Sequence, residues 1–295
     1  MNKDLTADII IPTYKPGAEF QEELRRLALQ SFKADKIIII NTDEQYWNKD
    51  AEGVIPGMIV RHISKKEFNH GHARNLGASL SDADVIVFMT QDAIPADKDL
   101  LKNLISPIAD GSAAVSYARQ LPKKDADEIE KYTRKHNYPD ESRIKTKADL
   151  NELGIKTFFC SDVCAAYDHK LFDERGGFEE PVDFNEDMIY AAHAIEDGYA
   201  VAYTADARVL HSHNYTGRQQ FERNKDIGIS QKQHPEIFEK YPSEGAGISL
   251  VKSTAAHLIK SGHAASVPKL IWLSGMKYLG YLHGKKFIKQ EKHHV

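Results

Sequence analysis

The 295-residue chain has 41% hydrophobic residues, 39 basic and 43 acidic side chains and a formal charge of −4 at pH 7. This is the composition of an ordinary soluble globular protein, long enough for one large α/β domain and a smaller appendage. It excludes a disulfide framework, since only Cys160 and Cys164 are present, and a membrane-spanning class, since no stretch reaches the ~20 apolar residues a span needs. With no apolar or arginine-rich leader, the expected location is cytoplasmic. The two cysteines have no other ligand pair nearby and read as small half-buried residues.

The apolar run at residues 8–11, ended by Pro12-Thr13-Tyr14 and Lys15-Pro16-Gly17, predicts a buried strand. Residues 20–29 carry a helical pattern, and 36–40 form a second apolar strand, so the pair reads as a right-handed β-α-β unit with a parallel sheet. A strand over 58–63 and a helix over 72–80 precede the β-branched run Val85-Ile86-Val87-Phe88-Met89, which stops at Thr90-Gln91-Asp92. A helix over 99–108, a strand over 113–117 and a polar stretch over 121–151, with a helix near 125–135, come next. A strand over 163–167, a helix over 186–196 stopped at Gly198, and short strands at 200–203 and 209–210 complete a Rossmann-like α/β alternation. From Ile248 two helical segments place Leu, Ile, Trp and Tyr on one side and Lys on the other. The expected division is a catalytic domain over 1–245 and a basic helical tail over 246–295.

Charge is unevenly distributed. From Val251 onward eight lysines face one acid, a net of +7, which leaves −11 for the remainder. Such a tail points to an anionic partner, with lipid or a polyanion as candidates.

Asp92 stands at the carboxyl end of a buried strand, where open α/β sheets bind ligands. The first strand lacks the glycine-rich turn of a dinucleotide site. Pro12-Thr13-Tyr14 instead offers backbone groups and a ring suited to an aromatic base, or a simple turn, and Asp43 could accept from a base or ribose. Between Phe68 and Gly77 polar donors are dense. Among them are His70 and Arg74, and a cation at a helix start is mismatched with the dipole unless an anion or base carbonyl is near. Glu186 and Asp187 open a helix, where acids are good dipole partners but also candidates for a base. His211 and His213 alternate on a strand-like segment and could face one pocket or be ordinary surface histidines.

Taken in order, Pro12-Thr13-Tyr14, Asp43, the segment 69–77, Thr90-Gln91-Asp92, Gly176-Gly177-Phe178, Glu186-Asp187 and the His211 pair resemble family 2 glycosyltransferases of the GT-A fold over roughly residues 7–230. More narrowly, Phe68-Asn69-His70-Gly71, Met89-Thr90-Gln91-Asp92, Ala118-Arg119-Gln120-Leu121-Pro122, Asn185-Glu186-Asp187-Met188 and His211-Ser212-His213-Asn214-Tyr215 look like bacterial rhamnosyltransferases of cell-wall or capsular polysaccharides. The resemblance implies that Pro12, Thr13, Tyr14, Asp43, His70, Arg74, Gln91, Asp92 and Glu186 bind the nucleotide-sugar, with Asp43, Arg74 and Thr13 at its base.

By the same resemblance, Asp92 ligates Mg²⁺ or Mn²⁺ on the diphosphate. Thr90 stands where the family's first metal-site acid is usual, so His211 is a candidate second ligand and His213 a metal or diphosphate contact. Asp187 matches the catalytic base of an inverting transfer from dTDP-β-L-rhamnose to a lipid-diphosphate-linked saccharide, giving an α-L-rhamnoside. The lysine-rich tail then suits peripheral contact with the inner face of the cell membrane, with a packed helical pair or homodimer contact as the alternative. Other readings keep the fold with UDP-linked glucose, galactose or N-acetylglucosamine, or make the chain a non-catalytic nucleotide-sugar or polysaccharide binder. Nucleic acid is disfavoured because the basic residues lie in an amphipathic tail instead of a groove with interleaved aromatics.

Overall fold

Runs of isoleucine and valine set the centre of the sheet. In chain order the first elements are β1 (Ala7–Tyr14), α1 (Ala18–Ala28), β2 (Lys36–Thr42), β3 (Met58–Ile63), α2 (His70–Ala78), β4 (Val85–Met89), β5 (Ile94–Pro95) and α3 (Leu100–Ala109). They are followed by β6 (Val115–Leu121), α4 (Glu128–Asn137), β7 (Arg143–Lys145), α5 (Leu150–Leu153), β8 (Cys164–Asp168), α6 (His169–Glu174), α7 (Glu186–Glu196) and β9 (Val201–Leu210). The structure, a computed structural model, describes residues 5–286 other than Pro56, Asp183 and Ser243. Lys289, Glu291 and Lys292 of the basic tail lie outside the described residues.

Nine strands form one mixed sheet in the order β3-β2-β1-β4-β8-β6-β9-β5, with β7 paired to β9. The β3-β2-β1-β4 part is parallel, and β8 runs antiparallel to both β4 and β6. Ile9, Ile10 and Ile11 of β1 and Ile38, Ile39 and Ile40 of β2 are inaccessible to solvent, as strands covered on both faces must be. On α1, Phe20, Leu24 and Leu27 recur at helical spacing and join the core. Asn69 caps α2 by accepting from the His72 amide at 2.7 Å, which starts that helix two residues before the periodicity suggested. Gly77 allows α2 to lie on the sheet, since a Cβ there would come within 2.3 Å of Ile10 Cγ2.

The two short strands expected near residues 200 and 209 are one continuous strand, β9. Its middle alternates buried Ala205 and Ala207 with exposed Asp206 and Arg208. Alanine carries little apolar signal, so the alternation reads from sequence as a polar break. Cys160 and Cys164 are free thiols and both are buried, more deeply than expected.

The chain divides into two compact units. The first comprises residues 1–126, 134–182 and 186–212, and the second 127–133, 183–185 and 213–295. The second unit therefore takes in α8 (Gly217–Gln233) and α9 (Pro235–Phe238) together with α10 (Glu244–Lys260) and α11 (Val267–Lys286), upstream of the division expected at 246. The physical link is close packing of α8 on α11. A Cβ on Gly280 would lie 2.1 Å from Phe221 O, and one on Gly284 2.0 Å from Lys225 O. These small residues let the two backbones approach as larger side chains would not. No helix among the described residues is long and apolar enough to cross a membrane.

Candidate active site

The carboxyl ends of β1, β2 and β4 lie along one edge of the parallel half of the sheet, which brings Thr13, Asp43 and Asp92 to the same end. The loops there are tied together by side chains. Gln91 accepts from the Tyr14 amide at 2.9 Å and donates to the Tyr14 carbonyl at 3.0 Å, joining the end of β4 to the end of β1. Thr13 donates to Asn41 Oδ1 at 3.0 Å and is buried. Asp43 takes a positive φ of 62° and accepts from the Lys65 amide at 3.1 Å. Beside it Tyr14 meets Tyr46 edge to face at 5.6 Å, and Lys15 Nζ lies 4.4 Å from the Tyr46 ring centroid. Pro12 is partly buried on the same strand.

Asp92 is paired on two sides. Its Oδ1 lies 3.5 Å from His211 Nε2 and its Oδ2 3.7 Å from Lys123 Nζ, while Lys123 also donates to Glu19 at 2.8 Å. Gln120 sets the His211 ring. Arg134 can only donate, so the Gln120 oxygen is the atom it meets, and the same oxygen accepts from His211 Nδ1 at 3.0 Å. Gln120 Nε2 donates to Tyr138 OH at 2.6 Å and to Ser161 Oγ at 2.9 Å. With its Nδ1 proton held by Gln120, His211 presents Nε2 to the Asp92 carboxylate. A hydrogen bond on the far nitrogen is the usual support for a metal-binding imidazole. Asp92 and His211 therefore offer one oxygen and one nitrogen donor that could hold a metal ion. His213 falls in the second unit, where its ring stacks on Tyr215 with centroids 4.9 Å apart.

A second cluster of charge joins α2 to the start of α7. Arg74 is 3% exposed, donates to Glu186 at 2.9 Å, and lies with Nε 3.1 Å from Asp162 Oδ2, close but not aligned as a hydrogen bond. The guanidinium is thus committed to carboxylates. Its His70 neighbour lies 3.4 Å away through Nδ1. Asp187 is half-buried. Its Oδ2 accepts from the Asp162 amide at 3.0 Å and its Oδ1 from the Met188 amide at 2.7 Å, so both oxygens are oriented by backbone. Burial and the adjacent Glu186 lift the Asp187 carboxyl to about 7, against the opposing pull of those amides and Arg74. Burial also pushes Asp162 well above the usual carboxylate range, and Tyr167 donates to it at 2.7 Å. One buried cation therefore serves three carboxyl groups, and proton retention by part of the cluster follows.

Gln120, Lys123, Asp162 and Asn75 carry parts of this arrangement that sequence reasoning leaves unassigned. Gln120 lies in the Ala118-Arg119-Gln120-Leu121-Pro122 segment, which was the available signal; Lys123 and Asp162 had none. Asn75 clamps the Gly176-Gly177-Phe178 turn, accepting from the Phe178 amide at 2.9 Å and donating to its carbonyl at 2.8 Å. Gly177, at a φ of +75°, has no room for a Cβ beside Asn75 Oδ1 at 2.6 Å.

A mixed sheet whose parallel half carries acids at the carboxyl ends of its strands, a carboxylate and an imidazole side by side, and an elevated carboxyl at a helix start define a GT-A glycosyltransferase. The profile of glycosyl transferase family 2 matches residues 8–176, and the chain belongs to that family. It is 40% identical over 279 residues to the O-antigen chain rhamnosyltransferase RfbN of Salmonella typhimurium, covering 94% of this chain and 88% of the relative. The O-antigen chain rhamnosyltransferase WbaN of Salmonella anatum is 38% identical over 280 residues, with the same coverage of 94% and 88%. The fold is shared with the mannosyltransferase PcManGT of Pyrobaculum calidifontis, solved with GDP-Man and Mn²⁺, at a TM-score of 0.62 and 15% identity over 96% of this chain and 88% of that one. S. aureus TarS 1-349 in complex with UDP-GlcNAc superposes at a TM-score of 0.53 and 12% identity, covering 95% and 90%.

Proposed function

We propose that this glycosyltransferase moves L-rhamnose from dTDP-β-L-rhamnose to a hydroxyl of a lipid-linked saccharide during O-antigen-type polysaccharide synthesis, with inversion to an α-L-rhamnoside. The sugar assignment rests on the 40% identity to an O-antigen chain rhamnosyltransferase over 94% of the chain. The mechanism rests on Asp187, whose carboxyl sits at about 7 and is therefore matched to accept a proton near neutral pH. Its two backbone hydrogen bonds hold the carboxylate in one orientation, and the acceptor oxygen loses its proton there as it attacks the anomeric carbon from the face opposite the diphosphate. Arg74, paired with Glu186, opposes the rise that burial and Glu186 impose on Asp187.

At the other end, Asp92 and His211 would hold a divalent cation, which supplies neutralisation of charge on the departing diphosphate. Lys123, held by Glu19 beside Asp92, adds positive charge to the same end. Tyr14, Tyr46 and Asp43 are the groups placed to meet the base and ribose. Peripheral contact with the inner membrane face through the lysines of the second unit completes the reading. The deciding experiment is a donor panel (dTDP-rhamnose, UDP-glucose, UDP-galactose and UDP-N-acetylglucosamine) with a lipid-diphosphate-linked saccharide and Mn²⁺, the anomeric configuration of the product being read by NMR. Turnover of a UDP-sugar with dTDP-rhamnose inert would overturn the donor, and a β-linked rhamnoside would overturn the inverting course.

A further inference from the structure

Of the two hydrogen bonds on Asp187, the one from the Met188 amide is local and moves with α7, whereas the one from the Asp162 amide sets the carboxylate relative to the sheet. Asp162 belongs to an irregular stretch directly before β8, the kind of backbone that is ordinarily the most mobile part of a domain. Here it is tied at successive residues from several elements. Lys145 on β7 donates to the Phe159 carbonyl and, at 3.3 Å, to that of Lys156. Gln120 on β6 donates to Ser161 Oγ at 2.9 Å. The Cys164 amide closes a turn on the Ser161 carbonyl at 3.2 Å, and the Thr90 amide, just past β4, donates to the Val163 carbonyl at 3.2 Å. Tyr167 donates to the Asp162 carboxyl at 2.7 Å, and Arg74 lies 3.1 Å from it.

The Ser161 carbonyl and the Asp162 amide are the two ends of one planar peptide unit. The turn bond on one end and the Asp187 bond on the other therefore hold the same plane, and the Ser161 hydroxyl anchors the residue from which that plane starts. Lys145 fixes the entry to the segment at a cost. It is 3% exposed, its Nζ lies 4.8 Å from the Tyr117 ring centroid, and burial lowers its amine to about 7. A buried amine is unfavourable unless its hydrogen bonds compensate, and those it makes go to the carbonyls that lead into the turn.

We propose that residues 159–164 form an orienting turn for Asp187, in which Ser161 and Lys145 are positioning residues for the transfer and act through the Asp162 amide. Neither touches the reacting atoms. Ser161 receives its bond from Gln120, whose oxygen meanwhile accepts from His211, so one side chain serves both ends of the site. That Asp187 is the base rests on the proposed function; the tie between the turn and its carboxylate does not.

The test uses the full-length protein. In Ser161→Ala, kcat should fall by about tenfold or more, with donor affinity, measured by calorimetry, unchanged. A loosened Asp162 amide withdraws a donor that favours the charged carboxylate. The Asp187 titration should therefore move upward from about 7, by roughly half a unit to one unit, in the acid limb of kcat/KM and in carboxyl carbon NMR of the substrate-free protein. The charged and titratable groups acting with Asp187 are Glu186, Arg74, Asp162, Cys160, Tyr138 and Tyr167, and Ser161→Ala alters none of them. Ser161→Thr keeps the oxygen facing Gln120 at a partly exposed position and should return rate and titration toward wild type. Lys145→Met keeps the buried stem without its donors and should move the NMR titration in the same direction; where it does not fold, Ser161→Ala decides. An unmoved Asp187 titration in Ser161→Ala, even with a lowered rate or melting temperature, would overturn the proposal, as would a Ser161→Thr variant no better than Ser161→Ala. A moved titration in Ser161→Ala together with unchanged turnover in Asp187→Asn would remove the base reading and leave the turn as the holder of Asp187.

Discussion

Arg74 separates two accounts of this site, and Arg74→Met tests them. The resemblance places Arg74 at the nucleobase, whereas its guanidinium lies 2.9 Å from Glu186 and 3.1 Å from Asp162 with 3% exposure. At an effective dielectric of about 20, each such contact is worth roughly 5 kcal/mol of gross attraction, much of it offset by desolvation. Removing the cation leaves Asp162, Glu186 and Asp187 together without a counter-charge, and breaking a buried pair in this way costs about 3–5 kcal/mol. At about 2–4 °C per kcal/mol for a domain of this size, the melting temperature should fall by roughly 6–20 °C. The sign with pH follows from Arg74 holding Asp162 and Asp187 down: without it their folded values rise further above their unfolded ones. Acids that retain protons in the folded state lose stability as pH rises, so the deficit should be small near pH 5 and larger at pH 8, past the wild-type Asp187 value of about 7. The acid limb of kcat/KM should move upward from near 7 in the same variant. Calorimetry at the two pH values and a pH-rate profile measure both. A variant with unchanged melting at both pH values, an unmoved acid limb and weakened donor binding would refute the buried-pair reasoning and return Arg74 to the nucleobase.

Asp187→Asn should keep donor affinity, measured by calorimetry, and lower transfer by about 10²–10⁴-fold; unchanged turnover would remove Asp187 as the base. Gln120→Ala frees the His211 ring and should weaken donor-supported Mn²⁺ binding by about 10–100-fold, read by electron paramagnetic resonance, with an unaltered affinity excluding the orienting role. Glu23, on α1, is inaccessible, neither carboxyl oxygen has a hydrogen-bond partner among the described residues, and burial followed by the Asp92 charge pushes its carboxyl well up. Its folded value exceeds its unfolded one, so the wild type should lose stability as pH rises above about 4. Glu23→Gln should flatten that dependence in denaturant titrations at pH 5 and pH 8, and parallel curves for the two proteins would count against it.

Strand positions, the parallel β-α-β start and the acids at strand ends were legible because alternating apolar runs and turn residues act within a few neighbours along the chain. Met58–Ile63 and Glu186–Glu196 were read to the residue for this reason. β9 was not, because the buried positions in its middle, Ala205 and Ala207, are alanines with little apolar signal, and Ala207 is buried in a core cluster that includes Leu100 and Leu104 of α3. The limits of the second unit were also hidden, since glycines at 280 and 284 register as weak helix formers until the α8 backbone is seen against them.

The sequence by itself determined the α/β class, the family and the identity of Asp92, Asp187 and His211 as candidate groups, since each rests on residue type at a recognisable place along the chain. Only the tertiary structure decided their partners. Gln120 is 91 residues from the histidine it orients, and Arg74 is 112 residues from Glu186. Local pattern carries no information on contacts at such separations. Yet these distant contacts aim the imidazole at Asp92 and pair the carboxylate beside Asp187.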